Sequence, residues 1–281
     1  MKTLTVALIQ LKTGTDIVQN QAVAHRLIKE AAKAGARFIL LPEVFHYRGD
    51  RGRVLENAEV IPGPAVLPLM AFAKECDVWI LGGSLCEIGQ ATHKVYNTSV
   101  LINPQGHVQA TYRKMHLFDA IVNGKPIRES DIFLAGDMPV MADVDGISTG
   151  LSICYDVRFP ELYRHYAALG AKILCVPSSF TTPTGSEHWE VLLRARAIEN
   201  YCYVLAPNQA GIGACDVPTF GNSMIIDPWG KIVARASEHD EEIVMATLDF
   251  NHLENLRARF PALKNRRHIS QGIENGFDSG I

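Results

Sequence analysis

Two stretches of this 281-residue chain resemble each other closely enough to restrict the folds available to it. Residues 35–42 read GARFILLP and residues 170–177 read GAKILCVP, and each stretch follows an alanine-rich segment with helical spacing. The turn sequence LINPQG at 101–106 likewise matches IIDPWG at 225–230. A long repeat that occurs twice indicates two similar half-domains rather than a solenoid.

The repeated strands are continuously apolar, at residues 38–41 and 173–176. Residues 75–81 and 199–205 share a second feature, a helix end that leads into an apolar strand. Strands of this composition need cover on both faces, which two sheets packed face to face with helices outside would provide. We therefore expect an α/β fold, a four-layer α-β-β-α sandwich with an internal two-fold pseudo-repeat. A chance likeness between common strand endings is the alternative.

The hydrophobic pattern places the main elements along the chain. It predicts strands at 3–10, 37–41, 78–82, 95–102 and 108–112, and helices at 16–33, 64–75 and 251–259. We expect residues 1–281 to form a single domain. The stretch 268–281 is polar and rich in glycine, which predicts a tail that is disordered or held by a partner subunit.

Composition and charge exclude several classes of protein. Hydrophobic residues make up 47% of the chain and charged residues 20%, as in soluble globular proteins. The formal net charge of −3 gives no support to a nucleic-acid surface or a basic membrane anchor. No apolar run approaches the roughly 18 residues that a spanning helix needs. The N-terminal apolar run is too short for a signal peptide, so we expect a cytoplasmic protein.

Six cysteines are spread over the chain, at Cys76, Cys86, Cys154, Cys175, Cys202 and Cys215. In a chain of this size such spacing does not indicate a disulfide framework. The sequence contains no C-x-x-C pair and no H-E-x-x-H or similar spacing of metal ligands. We therefore expect no metal and no cofactor.

Cys154 stands at a predicted corner between a strand and a helix. The apolar residues 151–153 precede it, and Pro160-Glu161 behind it resembles the first turn of a helix. Such a corner exposes a side chain, and nearby helix N–H groups lower the pKa of a thiol and stabilise developing negative charge. A buried core cysteine is the alternative, and it is the commoner role of a cysteine.

Three further side chains fit the same chemistry. Glu43 directly follows an apolar strand and a proline, and paired half-domains would bring it to face Cys154. Lys114 ends the second hairpin strand, and Glu129 lies in a loop. Taken singly, each residue has an ordinary alternative role. Glu43 could be a carboxylate that caps a helix, Lys114 a surface lysine, and Glu129 a loop carboxylate. Together with Cys154, in this order, they form a specific set.

The motifs LLPE (40–43), YRKMHL (112–117) and SICYDVRFPE (152–161) resemble those of the nitrilase superfamily of carbon–nitrogen hydrolases. The resemblance covers nearly the whole chain. HWEVLLRARAIEN (188–200) and FGNSMIIDPWG (220–230) are similar to the branch that contains deaminated glutathione amidase and omega-amidase.

This resemblance implies a catalytic triad of Glu43, Lys114 and Cys154, with Glu129 as the second active-site glutamate. It implies hydrolysis through a thioester on Cys154, with the oxyanion held by Lys114 and the backbone N–H of Tyr155. It also implies a homodimer and agrees with the four-layer sandwich.

The expected substrate is a small carboxylate-bearing amide, and Arg158 is a candidate to bind its carboxylate. An ion pair that fixes the corner is the alternative role for Arg158. Phe180, Thr181 and Thr182 follow a repeated strand, so they should border the same pocket together with Tyr155.

Deaminated glutathione (2-oxoglutaramyl-Cys-Gly) is the first candidate substrate, and 2-oxoglutaramate, the substrate of an omega-amidase, is the second. The loop 211–219 contains no basic residue, which weighs against the larger compound. Another nitrilase-superfamily amidase, a nitrilase, an acyltransferase and a non-catalytic scaffold remain as alternatives. A serine hydrolase is disfavoured because GGSLC at 82–86 lacks the final glycine of a nucleophile elbow. A dinucleotide site is disfavoured because GIGACD at 211–216 lacks the third glycine.

Overall fold

The computed structural model describes residues 2–89, 93–122, 124–212 and 217–267, in which strands and helices alternate. The helices are α1 (Ile17–Lys33), α2 (Arg51–Glu56), α3 (Val66–Cys76), α4 (Pro160–Ala168), α5 (Thr182–Asn200) and α6 (Phe250–Arg259). The strands of the first half are β1 (Thr3–Gln10), β2 (Phe38–Leu40), β3 (Trp79–Leu81), β4 (Leu85–Ile88), β5 (Val95–Ile102), β6 (Val108–Arg113), β7 (Asp119–Val122), β8 (Lys125–Arg128) and β9 (Phe133–Leu134). Those of the second half are β10 (Val140–Val144), β11 (Ile147–Leu151), β12 (Ile173–Cys175), β13 (Tyr203–Ala206), β14 (Ala210–Ile212), β15 (Pro218–Phe220), β16 (Met224–Ile226), β17 (Ile232–Arg235) and β18 (Glu242–Asp249).

The strands pair into two large sheets with the same topology. The first has the order β18-β1-β2-β3-β5-β4, with β6 and β9 also paired to β5, and the second has the order β10-β11-β12-β13-β16-β17. In each sheet three parallel strands follow an antiparallel edge strand and lead into an antiparallel hairpin, β5–β6 or β16–β17. Even the irregularity of the hairpin recurs, at Leu101/Ile102 and at Ile225/Ile226. The predicted repeat is therefore a real repeat of topology.

Alternation along the strands of the first sheet separates two cores. Val6 and Leu8 of β1 pack in the core that contains the second sheet, α4 and α5. Ala7 and Ile9 of the same strand face the other way, into a core shared with α1 and α3. Because successive side chains of a strand point to opposite faces, this alternation puts helices outside and sheets inside. The predicted four-layer α-β-β-α sandwich is confirmed.

Most predicted elements lie where the pattern put them, with shifts of one or two residues at their ends. The largest difference is at the end of β11, which stops at Leu151 although the sequence predicted a strand through residue 153. There the N–H of Ile153 donates to the Asp156 carboxylate over 2.8 Å, and Cys154 takes a positive φ of 48°. The expected tail, residues 268–281, lies outside the described residues.

The parallel strands of both sheets carry the site at their carboxyl ends. Glu43 follows β2, Cys154 follows β11, and Ser179 follows β12. The carboxyl ends of parallel strands share one edge of a sheet, where α/β proteins commonly place their ligands. Because the two sheets pack face to face, residues from both halves meet at this edge.

Two further observations concern the cysteines and the helices. Cys76, Cys86, Cys154, Cys175 and Cys202 are free thiols, and Cys215 lies outside the described residues. In the part of the chain that the structure describes, no helix is both long and apolar enough to cross a membrane.

One pH effect on stability follows from the packing of His46, which is 3% exposed. Burial lowers the pKa of His46 from 6.5 to about 4. The unfolded chain therefore binds a proton near pH 6.5 that the native protein does not accept until about pH 4. The free energy of unfolding should fall as the pH drops through this window, by at most about 3 kcal/mol.

Urea unfolding of the wild type and of His46→Gln between pH 7 and pH 4.5 measures this effect. The free energy of unfolding should depend less steeply on pH in His46→Gln than in the wild type. The dependence should be unchanged in His252→Gln, which replaces an exposed histidine. Equal slopes in all three proteins would contradict the assignment.

Candidate active site

Glu43 is a buried carboxylate, 3% exposed, that is held through both of its oxygens. Oε1 accepts hydrogen bonds from Asn97 Nδ2 and from Lys114 Nζ, each over 2.9 Å. Oε2 accepts one from the backbone N–H of Ser179 over 2.8 Å. The carbonyl of Glu43 also accepts from Gln209 Nε2 over 2.9 Å, so backbone and side chain are both fixed.

Lys114 lies between two carboxylates. Its ammonium donates to Glu43 and to Glu129, both over 2.9 Å, and the residue is 1% exposed. Glu129 is held in turn by the backbone N–H of Phe118, which donates to Oε2 over 2.8 Å. Nζ also lies 2.9 Å from Oε2 of Glu129. An ammonium has three N–H donors, so a single N–H shared between the two oxygens of Glu129 leaves one donor for another acceptor.

The opposite charges of this cluster stabilise one another. Burial alone would lower the pKa of Lys114, but the charges of Glu129 and Glu43 outweigh it and raise that pKa well above its ordinary value. Burial raises the pKa of Glu129, and the charge of Lys114 opposes the rise. Lys114 is therefore a buried cation at neutral pH, stabilised by two acidic neighbours.

Cys154 begins a short 3₁₀ turn, Cys154–Arg158, that leads into α4. Its N–H donates to the carbonyl of Pro177 over 2.9 Å, and the residue is 9% exposed. Burial, and then the charge of Glu43, raise the pKa of the thiol well above its ordinary value, while Lys114 and the N–H of Ser179 oppose the rise. The expectation that the corner lowers this pKa is wrong, because burial outweighs the N–H groups. The resting group is a neutral thiol.

The corner is braced by Asp156, which is fully buried. Its Oδ1 accepts from the backbone N–H of His116 over 3.0 Å and lies 2.7 Å from Nδ1 of that ring. Its Oδ2 accepts from the hydroxyl of Tyr112 over 2.7 Å and from the N–H of Ile153 over 2.8 Å. One carboxylate thus connects the corner at Cys154 to the end of β6, the strand that leads into Lys114.

Glu43, Glu129 and Cys154 line one cavity of about 250 Å³. All four predicted substrate-binding residues line it too, namely Tyr155, Arg158, Phe180 and Thr181. Apolar side chains form much of the remaining wall: Val44, Val54, Phe118, Ile127, Ile132 and Phe133. A small substrate with an apolar body and a few polar groups fits such a lining.

Arg158 borders this cavity. Its guanidinium lies 5.7 Å from the ring centre of Tyr155 and 5.2 Å from that of Phe180, and Nη1 is 3.2 Å from Nδ1 of His188. Among the described contacts no ion pair joins it to a neighbouring carboxylate, so the alternative role predicted for it is wrong. Thr182 begins α5 and Thr184 lines the cavity in its place.

The sequence did not single out two groups that hold Glu43. Asn97 begins a short polar run, residues 97–99, within the buried strand β5, and such a run is the signal that could have found it. Ser179 acts through its backbone, which no side-chain motif reveals. Arg48 and Arg128 also line the cavity. Nη1 of Arg48 donates to Thr219 Oγ1 over 2.8 Å, and Arg128 is exposed.

Within the described ranges no group of three or more His, Cys, Asp or Glu side chains is arranged to hold a metal ion. The loop 211–219 that the sequence singled out is described only in part, since residues 213–216 lie outside the described ranges.

Comparison with known proteins decides the family. The family model of carbon–nitrogen hydrolases matches residues 5–258. The chain belongs to this family. The carbon–nitrogen hydrolase assignment agrees with the motifs and with the sandwich fold.

Two similar proteins are named as amidases, and a similar solved structure belongs to the nitrilase superfamily. Human deaminated glutathione amidase is 42% identical over 270 residues, which cover 93% of this chain and 82% of that protein. Bovine omega-amidase NIT2 is 37% identical over 275 residues, 98% of this chain and 99% of that protein. The crystal structure of Saccharomyces cerevisiae Nit3, a member of branch 10 of the nitrilase superfamily, matches with a TM-score of 0.86 and 33% identity. That match covers 95% of this chain and 97% of Nit3. The predicted superfamily is confirmed.

Removing the buried cation of this carbon–nitrogen hydrolase should be costly. Lys114→Met leaves the carboxylates of Glu43 and Glu129 facing each other without compensation, which typically costs about 3–5 kcal/mol. Urea unfolding at pH 7 measures this loss. The loss should shrink toward pH 5, because burial raises the pKa of Glu129 and protonation relieves the repulsion.

Lys172→Met is the matched control, because the ammonium of Lys172 pairs with Glu254 at the surface over 2.7 Å. Such exposed pairs contribute up to about 1 kcal/mol. If both variants lose the same stability, the buried cluster is not the constraint described.

Proposed function

We propose that this carbon–nitrogen hydrolase cleaves the amide of deaminated glutathione to release 2-oxoglutarate and Cys-Gly, through a thioester on Cys154. The observation that carries the proposal is the convergence of the Glu43–Lys114–Glu129 cluster and Cys154 at one cavity. The identity with human deaminated glutathione amidase supports the choice of substrate.

In the proposed first step Cys154 attacks the amide carbon as its S–H proton passes to Glu43. Because the pKa of the thiol is raised by burial and by the Glu43 charge, little thiolate exists beforehand and the base must act during attack. Glu43 is suited to this role because its carboxylate is held through both oxygens.

The tetrahedral intermediate carries its negative charge on the former carbonyl oxygen. The third N–H of Lys114 and the backbone N–H of Tyr155 are the proposed donors to it, and one such donor is typically worth about 3 kcal/mol. Glu129 keeps Lys114 in place and contacts the substrate amide. Its contact with Phe118 fixes its orientation for this role.

Collapse of the intermediate breaks the carbon–nitrogen bond. The leaving amine takes the proton from Glu43, and the acyl group remains on sulfur as a thioester. Glu43 then removes a proton from water, which attacks the thioester carbon. The acid leaves as the proton returns to sulfur, so Cys154 and Glu43 regain their starting states.

Recognition of the substrate carboxylates is assigned to arginine. The guanidinium of Arg158 borders the cavity beside Tyr155 and Phe180, and Arg128 also lines the cavity. A planar guanidinium binds a carboxylate through two parallel hydrogen bonds. Thr181 offers a hydroxyl at the same edge.

Omega-amidase activity on 2-oxoglutaramate is the second candidate function. The likeness to bovine omega-amidase covers almost the full length of both chains. The cavity of about 250 Å³ also lies just below the roughly 300–1,000 Å³ usual for ligand pockets, which favours the smaller amide.

We further propose a single-domain homodimer that acts in the cytoplasm. The family match spans residues 5–258, which supports one domain. Val191, Ile198, Trp229 and Phe260 are 45–66% exposed, and apolar groups exposed in this way often mark an interface. Free thiols are typical of a reducing compartment.

Turnover of the two amides by the purified protein tests the proposal. Cys154→Ala should lose at least about 10⁴-fold in release of 2-oxoglutarate, because it lacks the nucleophile. Cys76→Ala, which replaces a thiol outside the cavity lining, should match the wild type. The larger kcat/KM of the two amides identifies the preferred substrate. Retained activity in Cys154→Ala would refute the thioester, and a wild type inactive on both amides would favour the scaffold.

A further inference from the structure

The carboxylate of Glu43 has two chemically distinct oxygens in this fold. Oε1 accepts two hydrogen bonds, from Asn97 and from Lys114. Oε2 accepts one described hydrogen bond, from the N–H of Ser179. Each carboxylate oxygen has about two lone-pair sites, so Oε1 is filled and Oε2 retains one.

The unfilled oxygen is the one that shares a donor with the nucleophile. The N–H of Ser179 bonds Oε2 over 2.8 Å and also acts on the sulfur of Cys154, whose thiol pKa it lowers. Both acceptors therefore lie beside one N–H group. Oε2 is thus the oxygen on the side of the Ser179 N–H, whereas Oε1 faces the ammonium of Lys114 and the amide of Asn97.

Asn97 helps to fix the orientation of the Glu43 carboxylate. Because a carboxylate can only accept, the amide nitrogen of Asn97 must face Glu43 and its Oδ1 must point away. The backbone carbonyl of Asn97 accepts from the N–H of Lys114 over 2.8 Å. One residue thus sets the positions of both the base and the buried cation.

The position of Asn97 is unfavourable for stability. Asn97 is 2% exposed, and its Oδ1 has no hydrogen-bond partner among the residues that the structure describes. A buried acceptor without a partner costs free energy, and an apolar side chain of similar shape removes that cost. An asparagine retained at this position is better explained by what its N–H does for Glu43 than by packing.

We propose that Oε2 of Glu43 takes the proton of Cys154, and that Asn97 is the positioning residue that keeps Oε1 occupied so that Oε2 alone is available. In this step the S–H bond breaks and an O–H bond forms on Oε2, while the sulfur electron pair attacks the substrate carbon. The inference rests on the proposed thioester route but not on the identity of the amide.

The test follows alkylation of Cys154 by iodoacetamide between pH 5 and pH 9, which requires no knowledge of the substrate. Asn97→Leu should be alkylated on the order of 10- to 100-fold more slowly than the wild type at pH 7, the effect of one hydrogen bond to a charged group. The slowing should narrow from pH 7 to pH 9, because hydroxide can then take the S–H proton without the carboxylate. A merely structural change at the site would slow alkylation equally at every pH.

Ser99→Ala is the matched control. Ser99 lies two residues further along β5, is fully buried, and its Oγ also has no partner among the described residues. Its removal should leave the alkylation rate unchanged at every pH. Urea unfolding of each variant separates loss of fold from loss of function, and Asn97→Val, which suits a strand, replaces Asn97→Leu if the latter fails to fold.

Several outcomes would overturn the inference. The first is alkylation of the Asn97 variant within threefold of the wild type at pH 7, and the second is a slowing that is the same at pH 7 and pH 9. The others are equal slowing in Ser99→Ala and a wild-type Cys154 that is not alkylated at neutral pH. A wild type that is alkylated as expected but hydrolyses neither amide would refute the proposed substrates and leave this assignment intact.

Discussion

The ammonium of Lys114, enclosed by the carboxylates of Glu43 and Glu129, is the interaction on which the site depends. A charge in this position is stable only because it is paired and hydrogen-bonded, since burial of an isolated ammonium or carboxylate is prohibitive. Well-packed apolar groups could replace such a cluster at little cost or with a gain in stability. Because Glu43 and Glu129 line a cavity, the cluster is best explained by chemistry, and its charges affect the protonation states of the neighbouring groups.

The doubled fold explains how these side chains meet. Glu43, Asn97 and Lys114 come from the first half, whereas Cys154 and Ser179 come from the second. The two sheets share a topology but carry different side chains at matching positions. The carboxylate of Glu43 follows β2 in the first sheet, whereas serines follow β12 in the second. A symmetric scaffold has thus brought a carboxylate paired with an ammonium, from the first half, and a thiol, from the second half, to one cavity.

Much of this arrangement could be predicted from the sequence, because it follows from local patterns. Apolar runs and turn signatures predicted the strands, and the repeat predicted how they pair. The set Glu43, Lys114, Glu129 and Cys154 could be named because its motifs are specific. The structure then showed that Glu43, Lys114 and Glu129 are in direct contact and that Cys154 shares their cavity.

What could not be predicted depends on tertiary packing. The pKa of Cys154 was expected to fall, since its corner provides N–H groups, but it rises because burial and the charge of Glu43 dominate. Asn97 and the N–H of Ser179 bind Glu43 from segments 54 and 136 residues away. No sequence motif records such contacts. The environment of Arg158, beside two aromatic rings rather than a carboxylate, is likewise set by packing.

Measuring the protonation state of Lys114 tests most directly whether the two carboxylates stabilise a buried cation. In ¹⁵N-lysine-labelled protein, the Nζ resonance that disappears in Lys114→Met identifies this group. We predict that it remains an ammonium throughout pH 6 to 10, because the charges of Glu129 and Glu43 outweigh burial and raise its pKa. A neutral amine at pH 7, which is what burial without partners produces, would contradict the account.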